Sequence, residues 1–305
     1  MHKLFYLICL TLIGLNSCSS NAALNESSNQ DKNGDVEVKA NRSVLWRIDK
    51  ENMPSSYLFG TMHMINKEYF HFSARLTERI VNSEAIIMEV GGMPNPIAAF
   101  NMMTIDSGTV HQFFTSDQLK ELLEFMDIQM GVSPQEFDQT YGQMKPFFIL
   151  QSFSQAYFEP SAESYDLQIM GLAHEQEIPL IGLETIEEQL SFFDSIPSAE
   201  ISKMIIESTR NFEKEKKSAI ELMEYYSKQK VDKLIPLLEK QSPEFMAYDD
   251  LFLYDRNERW IPKIEQEIKN KSCFIAVGAG HLFGDRGVIE LLKAKGYHLT
   301  PISTQ

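Results

Sequence analysis

At the start of the folded region, apolar side chains recur at every second position, Val44, Trp46 and Ile48, before a polar turn through Pro54 and a second apolar run ending at Phe59. A period of two with a turn between its arms predicts a β-hairpin. From Ser73 to Ser83 the period changes: Leu76 and Ile80 stand four apart, which predicts a helix. "AIIMEV", Ala85 to Val90, is apolar throughout except for Glu89 and reads as a buried strand. Strand, helix and strand in succession predict an α/β arrangement.

The middle of the chain is helical in character. Ser116 is the expected cap of a helix carrying Leu119, Leu122, Leu123 and Met126, and Ser133-Pro134-Gln135-Glu136 is a capping box with proline at the first helical position. A long charged stretch from Ser198 to about Leu238 predicts a helix bent or broken before Pro236. "IPLIGLET" (Ile178–Thr185) and "CFIAV" (from Cys273) read as further strands. A helix near Arg286 to Lys295, stopped by Gly296, and a last strand "YHLTPI" follow. The expected fold is therefore α/β, a central mixed sheet with flanking helices and a large helical middle region packed over the sheet or beside it. No short-period tandem repeat occurs, which excludes a solenoid.

The first residues change the picture of where the protein works. Lys3 precedes an apolar stretch from Leu4 to Leu15, too short for a permanent membrane span and of the kind found in secretory signals. It ends in Leu15-Asn16-Ser17-Cys18, which resembles the bacterial lipobox, where the cysteine is lipidated and becomes the first residue; cleavage near Ala22 or Ala23 is the alternative. Residues 1–17 are thus expected to be a lipoprotein signal peptide. Residues 18–42, rich in Ser, Asn and Asp, are expected to form a flexible tether reaching on the order of 25–30 Å from a membrane. The folded domain then spans 43–305. These features predict anchorage in a bacterial cell envelope through Cys18. With Cys9 in the signal and Cys18 lipidated, Cys273 is left as a lone thiol in an apolar run, which argues against cysteine catalysis.

Composition removes other classes. The 305 residues are 43% hydrophobic and 11% aromatic, so the chain as a whole is not disordered. A formal net charge of −15 and the lack of a concentrated basic patch argue against a nucleic-acid partner. Lys214, Lys216 and Lys217 alternate with Glu213 and Glu215 and read as a solvated helix face.

Two stretches carry the candidate chemistry. "YLFGTMHM" and "CFIAVGAGHL" each end an apolar run on a glycine and present a histidine three residues after a glycine, His63 and His281. Ligands in open α/β sheets bind beyond the carboxyl ends of strands, where both histidines fall. The glycines are expected to permit sharp turns and close approach. Two imidazoles at one rim are a candidate pair of ligands for a divalent cation. Glu89, the lone charge of its strand, needs a partner once buried: that cation, or an arginine such as Arg256. Glu184 ends another strand and is a candidate ligand or general base. Arg256 suits a carboxylate or a substrate carbonyl, and Asn257 suits an oxyanion; a helix surface or an inter-helix hydrogen bond is the alternative for both. His71, His111, His174 and His298 lack the glycine lead-in and read as surface or structural residues.

"YLFGTMHM", "AIIMEV", "IPLIGLETIEEQL", "YDRNERW" and "FIAVGAGHLFGDRGVIELLKAKGYHLTPI", in that order from about Val44 to Ile302, resemble the TraB/PrgY/GumN family, which includes the animal Tiki proteins. The resemblance implies divalent-metal-dependent peptidase activity of the Tiki kind, with His63, Glu89 and His281 as the metal positions. It also implies site roles for Glu184, Arg256 and Asn257, and matches Asp166 to a family aspartate for which helix capping is the alternative. Manganese, cobalt, zinc and iron all suit such a donor set. The expected activity is a metal-dependent envelope hydrolase acting on a peptide or protein. The alternative is a binding module that holds a peptide or small ligand without cleaving it, and haem or iron capture is a third reading. No HExxH is present, so a zincin is excluded.

Overall fold

Six strands form one sheet in the computed structural model, which describes residues 34–92, 96–241 and 248–304. The strands are β1 (Leu45–Asp49), β2 (Ser56–Thr61), β3 (Ala85–Val90), β4 (Leu180–Glu184), β5 (Cys273–Gly278) and β6 (His298–Ile302), ordered β4-β3-β5-β2-β1-β6. β4, β3, β5 and β2 pair in parallel, while β1 is antiparallel to both β2 and β6. The predicted hairpin is the β1–β2 pair, with Trp46 opposite Leu58. The parallel strands therefore deliver Thr61, Val90, Glu184 and Gly278 to the same edge of the sheet.

The described helices are α1 (Ala74–Val81), α2 (Pro96–Met103), α3 (Ser116–Met130), α4 (Pro134–Tyr141), α5 (Pro146–Gln155), α6 (Tyr165–Glu175), α7 (Ile186–Phe193), α8 (Ser198–Ser227), α9 (Val231–Gln241), α10 (Asp255–Ile268) and α11 (Val288–Ala294). Helices cover both faces of the sheet, which is why its central strands are apolar without alternation. On one face Phe59, Met88, Phe274 and Ala276 pack with α1, α6 and the ends of α8 and α9. On the other, Leu58, Ile87, Ile275 and Val277 pack with Trp260, Ile264 and Leu292 of α10 and α11. A third core, built on Phe137, Phe147, Phe153 and Ile205, holds the helical lobe together. The 30-residue α8, about 45 Å long at 1.5 Å per residue, belongs to both the lobe and the sheet core. The helical middle is thus both a lobe and a cover.

Three local expectations shift. Thr115, rather than Ser116, caps α3, accepting from the Gln118 N–H in a full capping box. The long helix does break before Pro236, but at Gln229 and not beside the proline: Gln229 turns left-handed with φ 51°, and Pro236 sits inside the new helix α9. The proline forfeits one backbone bond there, a smaller disturbance than the reversal that lets α9 pack back on α8. Third, the end of the expected tether is docked. Val38 N–H donates to Pro301 O at 3.0 Å and Ser303 N–H to Val36 O at 2.8 Å, extending the sheet beyond β6. Asp35 is buried between Arg47 and Arg79, each at 3.0 Å. An aspartate with two guanidinium partners gives this polar stretch the anchor that its lack of large apolar residues had seemed to deny it. Replacing Asp35 by alanine is expected to lower stability by about 1–3 kcal/mol, because the arginines lose a buried acceptor, and to lower the urea midpoint at unchanged slope. The signal peptide, Cys18 and the tether up to residue 33 lie outside the described residues.

Cys273 is buried in β5, and burial pushes its thiol up to about 11, against the opposing effect of Lys271. Since the thiolate is the reactive form, iodoacetamide at about pH 8 is expected to leave Cys273 unmodified in the folded protein and to label it in denaturant, as peptide mass mapping will show.

Candidate active site

The sheet edge where β2, β3, β4 and β5 end gathers the candidate residues. His63 follows β2, Glu89 is the penultimate residue of β3, Glu184 ends β4, and His281 ends a single 3₁₀ turn, Ala279–His281, directly after β5. Arg256 and Asn257 come from the first turn of α10. The local reason for the two glycines is space, not positive φ. A Cβ on Gly60 would lie 2.9 Å from Leu282 Cδ2 and 3.0 Å from Ala279 Cα, so the 3₁₀ turn carrying His281 approaches β2 only over a glycine. Neither Gly60 nor Gly278 takes positive φ. The added methylene on Gly280 would meet nothing closer than 3.8 Å, so that glycine is not needed for room.

Arg256 is the hub. Its Nη2 donates to Glu89 Oε2 at 2.6 Å and to Glu184 Oε1; its Nε reaches Glu184 at 3.1 and 3.2 Å. Nη1 donates to Phe252 O at 2.9 Å and faces His281 Nε2 at 3.2 Å. Phe252 belongs to a π-helical turn, Asp250–Tyr254, that runs directly into α10. The Arg256 guanidinium also lies 4.8 Å from the Trp260 ring, one turn along the helix. Glu89, Glu184 and Arg256 are all buried, so the two carboxylates depend on this one cation.

The second oxygen of Glu89 is also placed. Oε1 accepts the Gly278 N–H at 2.8 Å, while Oε2 takes a further bond from Gln189 Nε2 at 3.0 Å. Burial opposes ionisation of Glu89, but the His281 ring, the Arg256 guanidinium, the His63 ring and the Gly278 N–H outweigh it and hold the carboxyl well below the usual carboxylate range. Glu184 has Trp260 Nε1 at 3.3 Å in addition to Arg256. Both of its oxygens are occupied within the protein.

Each histidine is held from behind. Asn257 gives its amide hydrogens to His281 O at 3.2 Å and Arg286 O at 2.9 Å, so its Oδ1 is the acceptor for His281 Nδ1 at 2.7 Å. That network assigns the proton to Nδ1 and leaves the Nε2 lone pair facing Arg256 Nη1 and Glu89 Oε1, the latter at 3.7 Å. Burial, with Arg256 and His63 nearby, pushes His281 down to about 3 against the opposing effect of Glu89, so the ring is neutral. His63 stands at the mouth, its side chain 57% exposed, with Nδ1 on Asp166 Oδ2 at 2.9 Å. Asp166 in turn accepts from Thr61 Oγ1 at 3.0 Å and raises His63 to about 9. Ser164, not Asp166, caps α6.

Three of these groups converge. The position a Cβ would occupy on Gly278 is 3.3 Å from Glu89 Oε1, 3.5 Å from His63 Nε2 and 3.6 Å from His281 Cδ2. Among the described residues no three His, Cys, Asp or Glu side chains already form a coordination sphere, and His281 Nε2 is engaged by Arg256. The donor chemistry nevertheless fits a divalent cation. Each imidazole has Nδ1 fixed by an oxygen, the arrangement that orients metal-ligating histidines, and the Glu89 carboxylate lies beside both rings.

Sequence reasoning placed His63, Glu89, Glu184 and His281 at strand ends and Arg256 and Asn257 in a helix, and the structure brings all six together at one edge of the sheet. It missed Gln189 and Trp260. Trp260 was readable as the residue one turn after Arg256 on the same helix face; nothing local marks Gln189. Of the other histidines, His111 pairs with Asp138 at 2.7 Å in the helical lobe and His298 begins β6.

The fold is α/β, and its strand ends bring two histidines and two glutamates to the edge where Arg256 lies. The profile of the TraB/PrgY/gumN family matches residues 44–301, and the chain belongs to that family. It is similar to a Shigella flexneri protein described as "Uncharacterized protein YbaP", 24% identical over 242 residues that cover 78% of this chain and 88% of the relative. The Escherichia coli (strain K12) protein of the same description is 23% identical over 241 residues, covering 78% and 87%. No solved structure matches the chain.

Proposed function

We propose that the protein is a divalent-metal-dependent hydrolase of the bacterial cell envelope, lipid-anchored through Cys18 and acting on peptides. The observation that carries this reading is the convergence of His63 Nε2, Glu89 Oε1 and the His281 ring on one point beside Gly278. His63, Glu89 and His281 would hold the cation; manganese, cobalt, zinc and iron remain its candidates. When bound, such an ion supplies Lewis acidity, polarising a carbonyl and making water a better nucleophile. The chain's own residues prepare the place. Arg256 and Gln189 occupy Glu89 Oε2, so Oε1 is the oxygen left toward the histidines. Asn257 keeps the His281 ring in the tautomer with Nδ1 protonated, and Asp166 orients His63 through Nδ1; the His63 ring, raised to about 9, would give up its Nε2 proton to serve as a ligand. Glu184, expected as a base, acts here as the second anchor of Arg256, and Asn257, expected as an oxyanion donor, positions His281. No described helix is long and apolar enough to cross a membrane, so anchorage rests on Cys18 in this reading.

One observation favours a binding module instead: Arg256 Nη1 already sits 3.2 Å from His281 Nε2. In that reading the cleft captures an anionic or carbonyl group without turnover. Metal analysis of the purified chain, alongside His63→Ala and His281→Ala, separates the two when combined with cleavage of a peptide library in the presence and absence of chelator. Stoichiometric metal lost in both variants together with chelator-sensitive cleavage supports the hydrolase. Full metal retention in both variants overturns the proposed ligands.

Gly278→Ala tests the point of convergence itself. Its methyl would make contacts of 3.3 to 3.6 Å, close enough to disturb the three groups without breaking the fold. Stability is expected to change by less than about 1 kcal/mol while metal affinity or turnover falls about 10–100-fold, read by chemical denaturation and by metal titration.

A further inference from the structure

Arg256 has the chemistry to meet a substrate carboxylate, but its guanidinium is spent inside the protein, on Glu89, Glu184 and Phe252 O, with His281 Nε2 at 3.2 Å. Three residues along α10, on the same side of the helix, stands a second arginine, Arg259. It is exposed, and among the described residues its guanidinium has an aromatic ring but no carboxylate or carbonyl as partner. The charged groups around it are already occupied. Arg286 takes Asp255 at 2.9 Å and Glu258 at 2.7 Å, Lys263 donates to Leu183 O, and Glu188 Oε2 accepts the Thr185 N–H at 2.8 Å where α7 begins.

Phe192 of α7 links the two arginines. Its partly buried ring lies 5.7 Å from the Arg256 guanidinium and 5.2 Å from that of Arg259. The guanidiniums are therefore at most about 11 Å apart, which an extended peptide covers in about three residues at roughly 3.3 Å each. Arg256 in turn is 2.6 Å from Glu89 Oε2, and the other oxygen of Glu89 faces the point of convergence beside Gly278. Arg259 thus stands at the outer end of a wall whose inner end is the candidate centre.

The ring decides how Arg259 can be used. A guanidinium lying over an aromatic face is attracted by the π-system and gives up part of its side-chain freedom before any ligand arrives, while its in-plane N–H groups stay available. That fork matches the two oxygens of a carboxylate. We propose that Arg259, steered by Phe192, is a specificity residue of the site and receives a carboxylate of the substrate, an acidic side chain or a free C-terminus within about three residues of the bond cut. The proposal rests on the peptidase reading of the neighbouring centre.

The test uses the full chain and two readouts. In the first, N-acetylglycine and N-acetylglutamic acid α-amide, which carry the two kinds of carboxylate, are titrated by saturation-transfer NMR beside their neutral counterparts, N-acetylglycinamide and N-acetylglutaminamide, into wild type, Arg259→Gln and Arg259→Glu. The position is exposed, so both substitutions carry little risk to folding. Saturable binding of a carboxylate probe, weakened about 10–100-fold in Arg259→Gln and abolished in Arg259→Glu, supports the subsite whether or not any peptide is cut, and the probe that binds names the source of the carboxylate. No binding of either carboxylate, or binding that Arg259→Gln leaves intact, overturns it. In the second, kcat/KM is compared for library peptides and for versions in which the acidic side chain or the C-terminus is amidated. A carboxylate preference that falls about tenfold or more in Arg259→Gln, and less in Arg259→Lys, supports the proposal. Cleavage with no carboxylate preference, or with one that Arg259→Gln leaves unchanged, overturns the subsite and leaves the hydrolase reading standing. Carboxylate binding in the first readout with no cleavage of any peptide does the reverse.

Discussion

Arg256→Met is expected to destabilise the protein by about 3–5 kcal/mol, the usual effect of removing one partner from a buried ionic cluster. Glu89 and Glu184 would both lose the guanidinium that bridges them, and Phe252 O would lose its guanidinium donor. At about 2–4 °C per kcal/mol, the melting temperature should fall by roughly 10 °C. The pH dependence should also weaken. In the wild type Glu89 is depressed below its ordinary value of 4.5, so its stabilisation is present above that pH and is lost as the pH falls through the folded value. In Arg256→Met Glu89 loses one of the partners that depress it while burial still opposes its charge, so less stability should be lost on acidification from neutral to below 4.5 than in the wild type. Denaturation curves across that range check both statements. Adding Glu184→Gln to Arg256→Met should recover part of the loss, and simple additivity of the two changes would contradict the hub.

Glu89→Gln should leave the fold and abolish the chemistry. Arg256 retains Glu184, and the glutamine fills the same volume, so its melting temperature should fall less than that of Arg256→Met. Turnover is expected to drop at least about 10²–10³-fold, with loss of bound metal, because the charged oxygen facing the histidines becomes a neutral group. The paired measurement is metal content against cleavage of whichever library peptide the wild type cuts fastest. A variant that keeps both would remove Glu89 from the proposed ligand set.

Several parts of this arrangement were legible in the chain. Glu89 stood out because a lone charge in an apolar strand must find a partner, and Arg256 was one of the two named. His63 and His281 stood out because each follows an apolar run and a glycine, and in a parallel sheet such ends meet at one edge. Gln229 was not legible as a helix break: its left-handed turn depends on α9 packing back on α8, while Pro236 carries the stronger local signal. The docking of residues 35–38 was hidden for a similar reason. Its anchor is a single aspartate whose arginines come from β1 and α1, and composition averaged over the stretch conceals it.

The chain's own pattern, periods of two and four broken by glycine and proline, determined the strands, most helices, the α/β class and the shortlist of chemical residues. These follow from short-range sterics and from which faces must leave water. Tertiary structure alone decided the roles: that Glu184 and Asn257 are turned inward to hold Arg256 and His281, that Asp166 stands behind His63, and that Gln189 reaches Glu89. Those assignments depend on distances between residues 24 to 103 positions apart, set by strand order and helix packing. No local propensity encodes them.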